Sequence, residues 1–286
     1  MLDLVRLRVL AAVARHGSIT AAAKELHYSQ PSVSHHLSKL EAETGAQLLQ
    51  RVGRGIRLTE AGQLLAERAS EILGRVDAAA AELSSHVGLD AGRVRLAGFS
   101  SALSTLVPQA AATLARNYPG LDLSLVDSHP EEALAMLRAG HVDVAVIFRY
   151  DEFAAEDRGI RLLHLLDDPT YVLGPDPENT VAGHRASRWI GGCERCRSHL
   201  LAVCAAEGFS PTIAYTTDDI VVMQALVAAG MGVAILPGLA LRAHRVPGVT
   251  ATEHVGAPRR VYAATYGEPP DPPATAAVLA ALTGAV

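Results

Sequence analysis

Apolar positions near the start of the chain recur at helical spacing. Leu4, Leu7, Leu10, Ala11 and Ala14 fall at intervals of three and four, which predicts an amphipathic helix ending at Gly17. Ser18 is a good N-cap for a short second helix marked by Ile19, Ala22, Ala23 and Leu26. His27 and Tyr28 then form a tight turn. Ser29 caps a third helix, with Pro31 in its first turn where a missing N–H costs nothing. That helix runs to about Thr44, with Val33, Leu37 and Leu40 buried and Gly45 as its stop. Two short helices joined by a tight turn make the unit whose second helix fits a DNA major groove. The stretch Leu48–Leu58 follows as a β-wing, with Arg51, Arg54 and Arg57 set around Gly53 and Gly55.

Thr59 can cap a long helix from Glu60 to about Val87. Its apolar positions Leu65, Ala69, Ile72, Val76, Ala79 and Leu83 alternate at four and three, a coiled-coil seam that Gly74 and two alanines weaken. A helix of this kind needs a partner to bury its stripe, so a dimer is expected.

From Arg93 the period changes. VRLAGF, LDLSLVD and VDVAVIF alternate with helices ending near Asn117 and Ala139, the pattern of a parallel sheet covered on both faces. A second set follows: IRLLHLL, TYVLG, RWIGG, a helix near 195–207, IAYTT, a helix near 219–229, and GVAILP. RRVYAATYG and a last helix at 272–284, entered through the rigid loop PPDPP, return to the first lobe. The charge-free stretch 220–241 raises the question of a membrane span, but Gly230, Gly232, Pro237 and Gly238 break it into helix, turn and buried strand. Arg6 and Arg8 interrupt the first apolar run, so it does not read as a secretory signal. The expected location is the cytoplasm, with no membrane contact.

Composition adds one decisive point. The 286 residues are 49% hydrophobic with three cysteines, which excludes a disordered or disulfide-stapled chain and fits about two domains. Taken as a whole-chain average, the net charge of −5 argues against nucleic acid, but it is unevenly distributed. Residues 1–60 hold eight Lys/Arg against five Asp/Glu, and residues 61–286 hold 17 against 25. A basic head therefore precedes an acidic body. On the third helix the positions outside the core are Gln30, Ser32, Ser34, His35, His36 and Lys39, side chains suited to base edges and phosphates.

The segment from Ser18 to Gly62 carries A-A-x-x-L, S-Q-P-S-V-S-x-x-L-x-x-L-E, G-x-x-L-x-x-R and R-x-x-x-L-T-x-A-G at mutually consistent spacing. On these motifs the head resembles the winged helix-turn-helix of the LysR-type transcriptional regulators. The resemblance implies that Gln30, Pro31, Ser32, Ser34 and His35 face bases or adjacent phosphates and that Arg54 serves the wing. Lys39 and Arg51 join that set from the residue reading. The family often has Arg where His35 stands and Phe where Leu49 stands. The alternating body resembles the periplasmic-binding-protein-type effector domain of the same family.

The expected fold is thus an all-α winged helix-turn-helix followed by an α/β effector domain of two lobes. Residues 1–58 would bind DNA and 59–88 form the dimerising linker helix. Residues 89–286 would bind an effector, with lobe I at about 89–160 and 266–286 and lobe II at about 161–265. In open α/β sheets, ligands sit beyond the carboxyl ends of strands. That rule selects Ser100, Ser101, Ser128, Arg149, residues 192–196, Thr217 and Asp218. Arg149 suits a carboxylate, so a small anionic metabolite is expected, although an ion pair of Arg149 with Asp151 or Glu152 is an equal alternative.

Cys193, Cys196 and Cys204 cluster in GGCERCRSHLLAVC, the first two at an expected helix start where the dipole favours thiolate. Ordinary packing and cleft lining, redox sensing, and metal sensing with His199 all remain open. Cys204 follows Cys196 by eight residues on the same helix, and peroxide-sensing members of the family carry a similar pair there with one more residue between the cysteines. No second C-x-x-C completes a tetrahedron and no H-E-x-x-H occurs, so neither a metal site nor a cofactor is assigned. The function these residues support is a DNA-binding transcriptional regulator, not an enzyme, controlled by a small effector between two lobes. Its expected partners are double-stranded promoter DNA, the effector, copies of itself as dimer or tetramer, and RNA polymerase. The alternative from another class is a ligand-binding α/β protein or enzyme with an interaction head.

Overall fold

Three helices and a wing form the head, built by the caps expected of them. A computed structural model describes residues 2–52, 55–86, 92–150, 159–176, 179–256 and 258–286, with backbone alone at 51, 55, 77, 78, 81, 82 and 84–86. Asp3 accepts from the N–H groups of Val5 and Arg6 to start α1 (Leu4–His16). Ser18 caps α2 (Ile19–Glu25), and Ser29 caps α3 (Gln30–Thr44) by accepting from Ser32 N–H at 3.3 Å. Leu7, Leu10, Val13, Val33, Leu37, Leu40 and Leu48 close one core beneath them.

The wing, β1 (Leu49–Val52) paired with β2 (Gly55–Leu58), is tied to the helices by three residues of the sequence motif. Glu41 accepts from the N–H groups of Leu48 and Leu49 at 2.8 and 3.1 Å, which holds the start of the wing against α3. Thr59 donates to the Gln47 carbonyl at 2.6 Å and accepts from Gly62 N–H at 3.0 Å, which caps α4 (Glu60–His86). Gly62 is required by proximity: a Cβ there would stand 2.0 Å from the Leu48 carbonyl oxygen.

The linker helix α4 divides the expected seam. Ala66, Ala69 and Leu73 pack on the head, while Ile72, Val76 and Leu83 are 37, 41 and 65% exposed. The first half of the stripe is therefore spent on the chain's own α1, and only the second half awaits a partner. Val87 lies outside the described residues. Gly74, which local propensity alone marks as a defect, has a tertiary reason. A Cβ at Gly74 would lie 1.7 Å from the carbonyl of Ala139, just past α7 (Pro130–Arg138). Next to it Arg75 lies over the ring of Tyr266, 4.2 Å from its centroid.

Among the described residues, two five-stranded sheets make the body. The first, in the order β4-β3-β5-β12-β6, joins β3 (Arg93–Gly98), β4 (Asp122–Asp127), β5 (Val144–Arg149), β6 (Ile160–Asp168) and β12 (Arg259–Tyr266). The second, β11-β7-β10-β8-β9, joins β7 (Thr170–Gly174), β8 (Arg188–Gly191), β9 (Thr212–Thr216), β10 (Val233–Pro237) and β11 (Thr250–Glu253). Both sheets are mixed, not purely parallel, because β12 runs antiparallel to β5 and β6 and β7 runs antiparallel to β10 and β11. Strand β12 returns from the second lobe and therefore enters the first sheet reversed. The whole of β6 and β12 pairs within the first sheet, so the chain passes between lobes near 168–170 and 254–259, not near 160 and 266.

The helices follow the expected order: α6 (Leu106–Asn117), α7, α8 (Glu194–Ala206), α9 (Ile220–Ala228) and α11 (Pro273–Thr283), with the short α5 (Ser100–Leu103) and α10 (Gly238–Ala243) added. The charge-free stretch 220–241 resolves into α9, β10 and part of α10. Gln224 within it is fully buried and satisfied, donating to the His244 carbonyl at 2.9 Å and accepting from Val246 N–H at 3.0 Å. Among the described residues no helix is long and apolar enough to cross a membrane.

Candidate functional site

Helix α3 turns Val33, Leu37 and Leu40 inward, so the opposite face projects outward. Gln30, Pro31, Ser34, His35 and Lys39 are exposed, and Ser32 is half-buried. Tyr28 stacks on His36 with centroids 5.8 Å apart, and Gln30 hydrogen-bonds Thr20 of α2. The two carboxylates of the helix are engaged elsewhere, Glu41 with the wing backbone and Glu43 with Arg6. Sequence reasoning had placed Glu41 only in a motif. Of the three wing arginines, Arg57 is exposed, while Arg54 lies outside the described residues, as does the side chain of Arg51.

Between the lobes lies a cavity of about 650 Å³. Ser100, Ser101, Ser128, Cys193, Thr217 and Asp218 all line it, as the strand-end rule predicts. Arg149 is not among the lining residues; it sits at the end of β5 opposite Arg260 of β12. Asp151 and Glu152, its alternative partners, lie outside the described residues. The acidic and basic side chains of the described lining are Asp127, Asp218 and Asp219, the histidines 129 and 244, and Arg259. Arg259 is already neutralised, so the carboxylate clamp expected of Arg149 has no counterpart in this lining.

Arg259 and its partner are the residues that sequence reasoning missed. Arg259 donates to Asp168 Oδ2 at 2.7 Å, and both are almost wholly buried. Arg259 Nη2 also donates to Ser101 Oγ at 2.9 Å, while Asp168 Oδ1 accepts from Leu239 N–H at 2.9 Å. The guanidinium carbon lies 4.8 and 4.6 Å from the ring centres of Phe99 and Phe148. Asp168 ends β6 and Arg259 begins β12, so the pair joins both strands where the chain passes between lobes. Ser101 is thereby committed to structure, whereas Ser100 stays exposed. The only available signal was the charged residues at the end of β6 and at the start of β12.

Two hydroxyls of the lining have the opposite property. Ser128 Oγ and Thr170 Oγ1 are buried and make no hydrogen bond with the described residues. An unmade hydrogen bond at a buried group costs about 1–3 kcal/mol, so these hydroxyls mark where the cleft calls for a polar partner.

Cys193 caps α8, its sulfur accepting from Cys196 N–H at 3.5 Å and standing 3.2 Å from the sulfur of Cys196. Hydrogen bonding from the Cys196 thiol, reinforced by that N–H and by His129, pulls Cys193 down to about 6 against the effect of burial. The same contact, with burial, pushes Cys196 well up. Cys204 differs: it packs with Trp189 and Leu200, and burial raises its thiol to about 11. His199 is buried against Tyr150, ring centroids 3.7 Å apart. Among the described residues no group of three or more His, Cys, Asp or Glu is placed to hold a metal ion.

A winged helix-turn-helix carried on a long helix, with a cleft between two α/β lobes behind it, defines a ligand-responsive DNA-binding regulator. The chain belongs to the LysR family of bacterial transcriptional regulators. Residues 4–63 match the family described as bacterial regulatory helix-turn-helix protein, lysR family, and residues 88–286 match the LysR substrate binding domain. A probable HTH-type transcriptional regulator LrrA of Synechococcus elongatus is 30% identical over 242 residues, covering 84% of this chain and 82% of that protein. A hydrogen peroxide-inducible genes activator of Dickeya chrysanthemi is 28% identical over 247 residues, covering 84% of this chain and 80% of its own. The fold is also that of the LysR family transcriptional regulator CbnR, with a TM-score of 0.70 at 24% identity over 99% of each chain. The protein is a LysR-type DNA-binding transcriptional regulator with an effector-binding domain.

Proposed function

We propose that this regulator reads promoter DNA through Gln30, Pro31, Ser32, Ser34, His35 and Lys39 of α3, with Arg51 and Arg54 of the wing on the backbone. The observation that carries the reading is the outward face of α3, polar, exposed and cleared of free carboxylates. Lys39→Ala is expected to weaken binding to all sequences alike and to reduce the salt slope by about one unit. Gln30→Ala instead relaxes discrimination at one base pair, an effect of about 1–3 kcal/mol. Titration of promoter and scrambled duplexes at two salt concentrations separates the two, and an unchanged slope for Lys39→Ala removes that residue from the interface.

The protein acts in the cytoplasm as a binding protein, not an enzyme, and RNA polymerase is a further partner at the promoter. Its division into a DNA-binding part at 1–58, a linker at 59–88 and an effector domain at 89–286 follows the change from helical to alternating pattern. A small polar effector occupies the cleft, with Ser100, Ser128, Thr217 and Asp218 as contacts and Thr170 added to them. The unmet hydroxyls of Ser128 and Thr170 support this. Binding shifts the regulator only by favouring one arrangement of lobes and linker over another.

A second copy covers the free half of the α4 seam. Ile72→Glu with Val76→Glu is expected to convert the oligomer to monomer in sedimentation velocity, because each charge would be buried unpaired at the seam. An unchanged sedimentation coefficient would place the interface elsewhere.

A further inference from the structure

We infer that Cys193 and Cys196 form a redox-active dithiol, converted to a disulfide by a hydroperoxide that enters the cleft. Both residues line the cavity, and their sulfurs are already in contact at 3.2 Å. Helix geometry puts Cα atoms of residues three apart about 5 Å from each other, inside the range of about 4.4–6.8 Å that bridged cysteines span. Cys204 is excluded as the partner. It lies eight residues further along α8 than Cys196, a rise of about 12 Å, whereas bridged Cα atoms are about 4.4–6.8 Å apart. It also packs in the Trp189 cluster.

The two thiols are differentiated by their surroundings. Cys193 accepts from the Cys196 N–H at the start of α8 and touches the Cys196 sulfur, a position that favours it as the thiolate. His129 and Asp218, 3.6 Å apart, line the cavity with Cys193 and act on its thiol in opposite senses. Cys196 is the more buried sulfur and holds its proton. This is the division of labour between an attacking and a resolving cysteine.

The Cys193 thiolate attacks one peroxide oxygen, so an S–O bond forms and the O–O bond breaks. The departing alkoxide takes the Cys196 proton and leaves as the alcohol, or as water when the oxidant is hydrogen peroxide. The Cys196 thiolate then attacks the sulfur of the Cys193 sulfenic acid. The S–S bond forms, and hydroxide leaves and takes a proton from solvent to become water. Two electrons have passed from the sulfurs to the peroxide.

The full-length protein treated with hydrogen peroxide provides the test. The intact mass should fall by about 2 Da, free thiols should drop from three to one, and dithiothreitol should restore both. Peptide mapping should place the bridge between Cys193 and Cys196. Cys196→Ser should stop at a sulfenic acid about 16 Da heavier that dimedone traps, and Cys204→Ala should react like the parent. Three free thiols after treatment, a bridge through Cys204, or a Cys193→Ser variant that loses thiols as fast as the parent would each overturn the inference. The readout is mass, so it is independent of whether α3 reads DNA.

Discussion

Arg259→Met is expected to destabilise the effector domain by about 3–5 kcal/mol, the usual cost of removing one partner from a buried ion pair. For a domain of this size that lowers the melting temperature by on the order of 10 °C. Asp168 is 2% exposed, so its charge would be left without water or guanidinium, and the amide of Leu239 alone cannot compensate it. Methionine preserves most of the apolar contact with Phe99 and Phe148, which isolates the electrostatic loss from packing. The same variant releases Ser101 Oγ toward the cleft, so effector response should change with stability. A drop below about 1 kcal/mol in differential scanning calorimetry would put the pair in the class of exposed salt bridges, contrary to its burial.

Gly62→Ala is expected to have an effect opposite to its helix propensity. In an open helix the change would stabilise by about 1 kcal/mol. Here the new Cβ would stand 2.0 Å from the Leu48 carbonyl oxygen. That oxygen is pinned, because it accepts from Thr59 N–H at 2.9 Å, and Leu48 N–H is held in turn by Glu41. Relief requires α4 to move away from the wing, and overpacking of this kind costs about 1–3 kcal/mol. The head should therefore melt earlier and bind promoter DNA more weakly, because wing and α3 would lose their shared anchor. A variant equal to or more stable than the parent would show that the α4–wing junction yields easily.

These two sites differ in how far the sequence announces them. Gly62 belongs to R-x-x-x-L-T-x-A-G, a motif visible in the sequence, although its reason, a carbonyl fourteen residues upstream, is visible only in the fold. The caps at Ser18 and Ser29 and the turn at His27 and Tyr28 involve groups within a few residues of each other, and they form as their spacing predicts. The strand-end rule likewise brings Ser100, Ser128, Cys193, Thr217 and Asp218 to one cleft, since the rule follows from the order of strands and helices. Arg149 escapes it because side chains alternate along β5: Phe148 and Tyr150 on either side of it line the cleft, and Arg149 between them belongs to the other face.

Along the chain, then, local physics was sufficient for the helices of the head, the alternating body, the uneven charge and the family motifs, because each depends on neighbours in sequence. The assignment of β6 and β12 to the first sheet depends on pairing between distant strands. So does the Arg259–Asp168 pair, whose members are far apart in sequence and meet only where the chain passes between lobes. The seam of α4 shows both limits at once. Its period was legible, but its first half was claimed by α1, and Gly74 proved to be the point at which the helix touches lobe I. A periodic stripe states that apolar surface will be buried; only three-dimensional proximity settles against what.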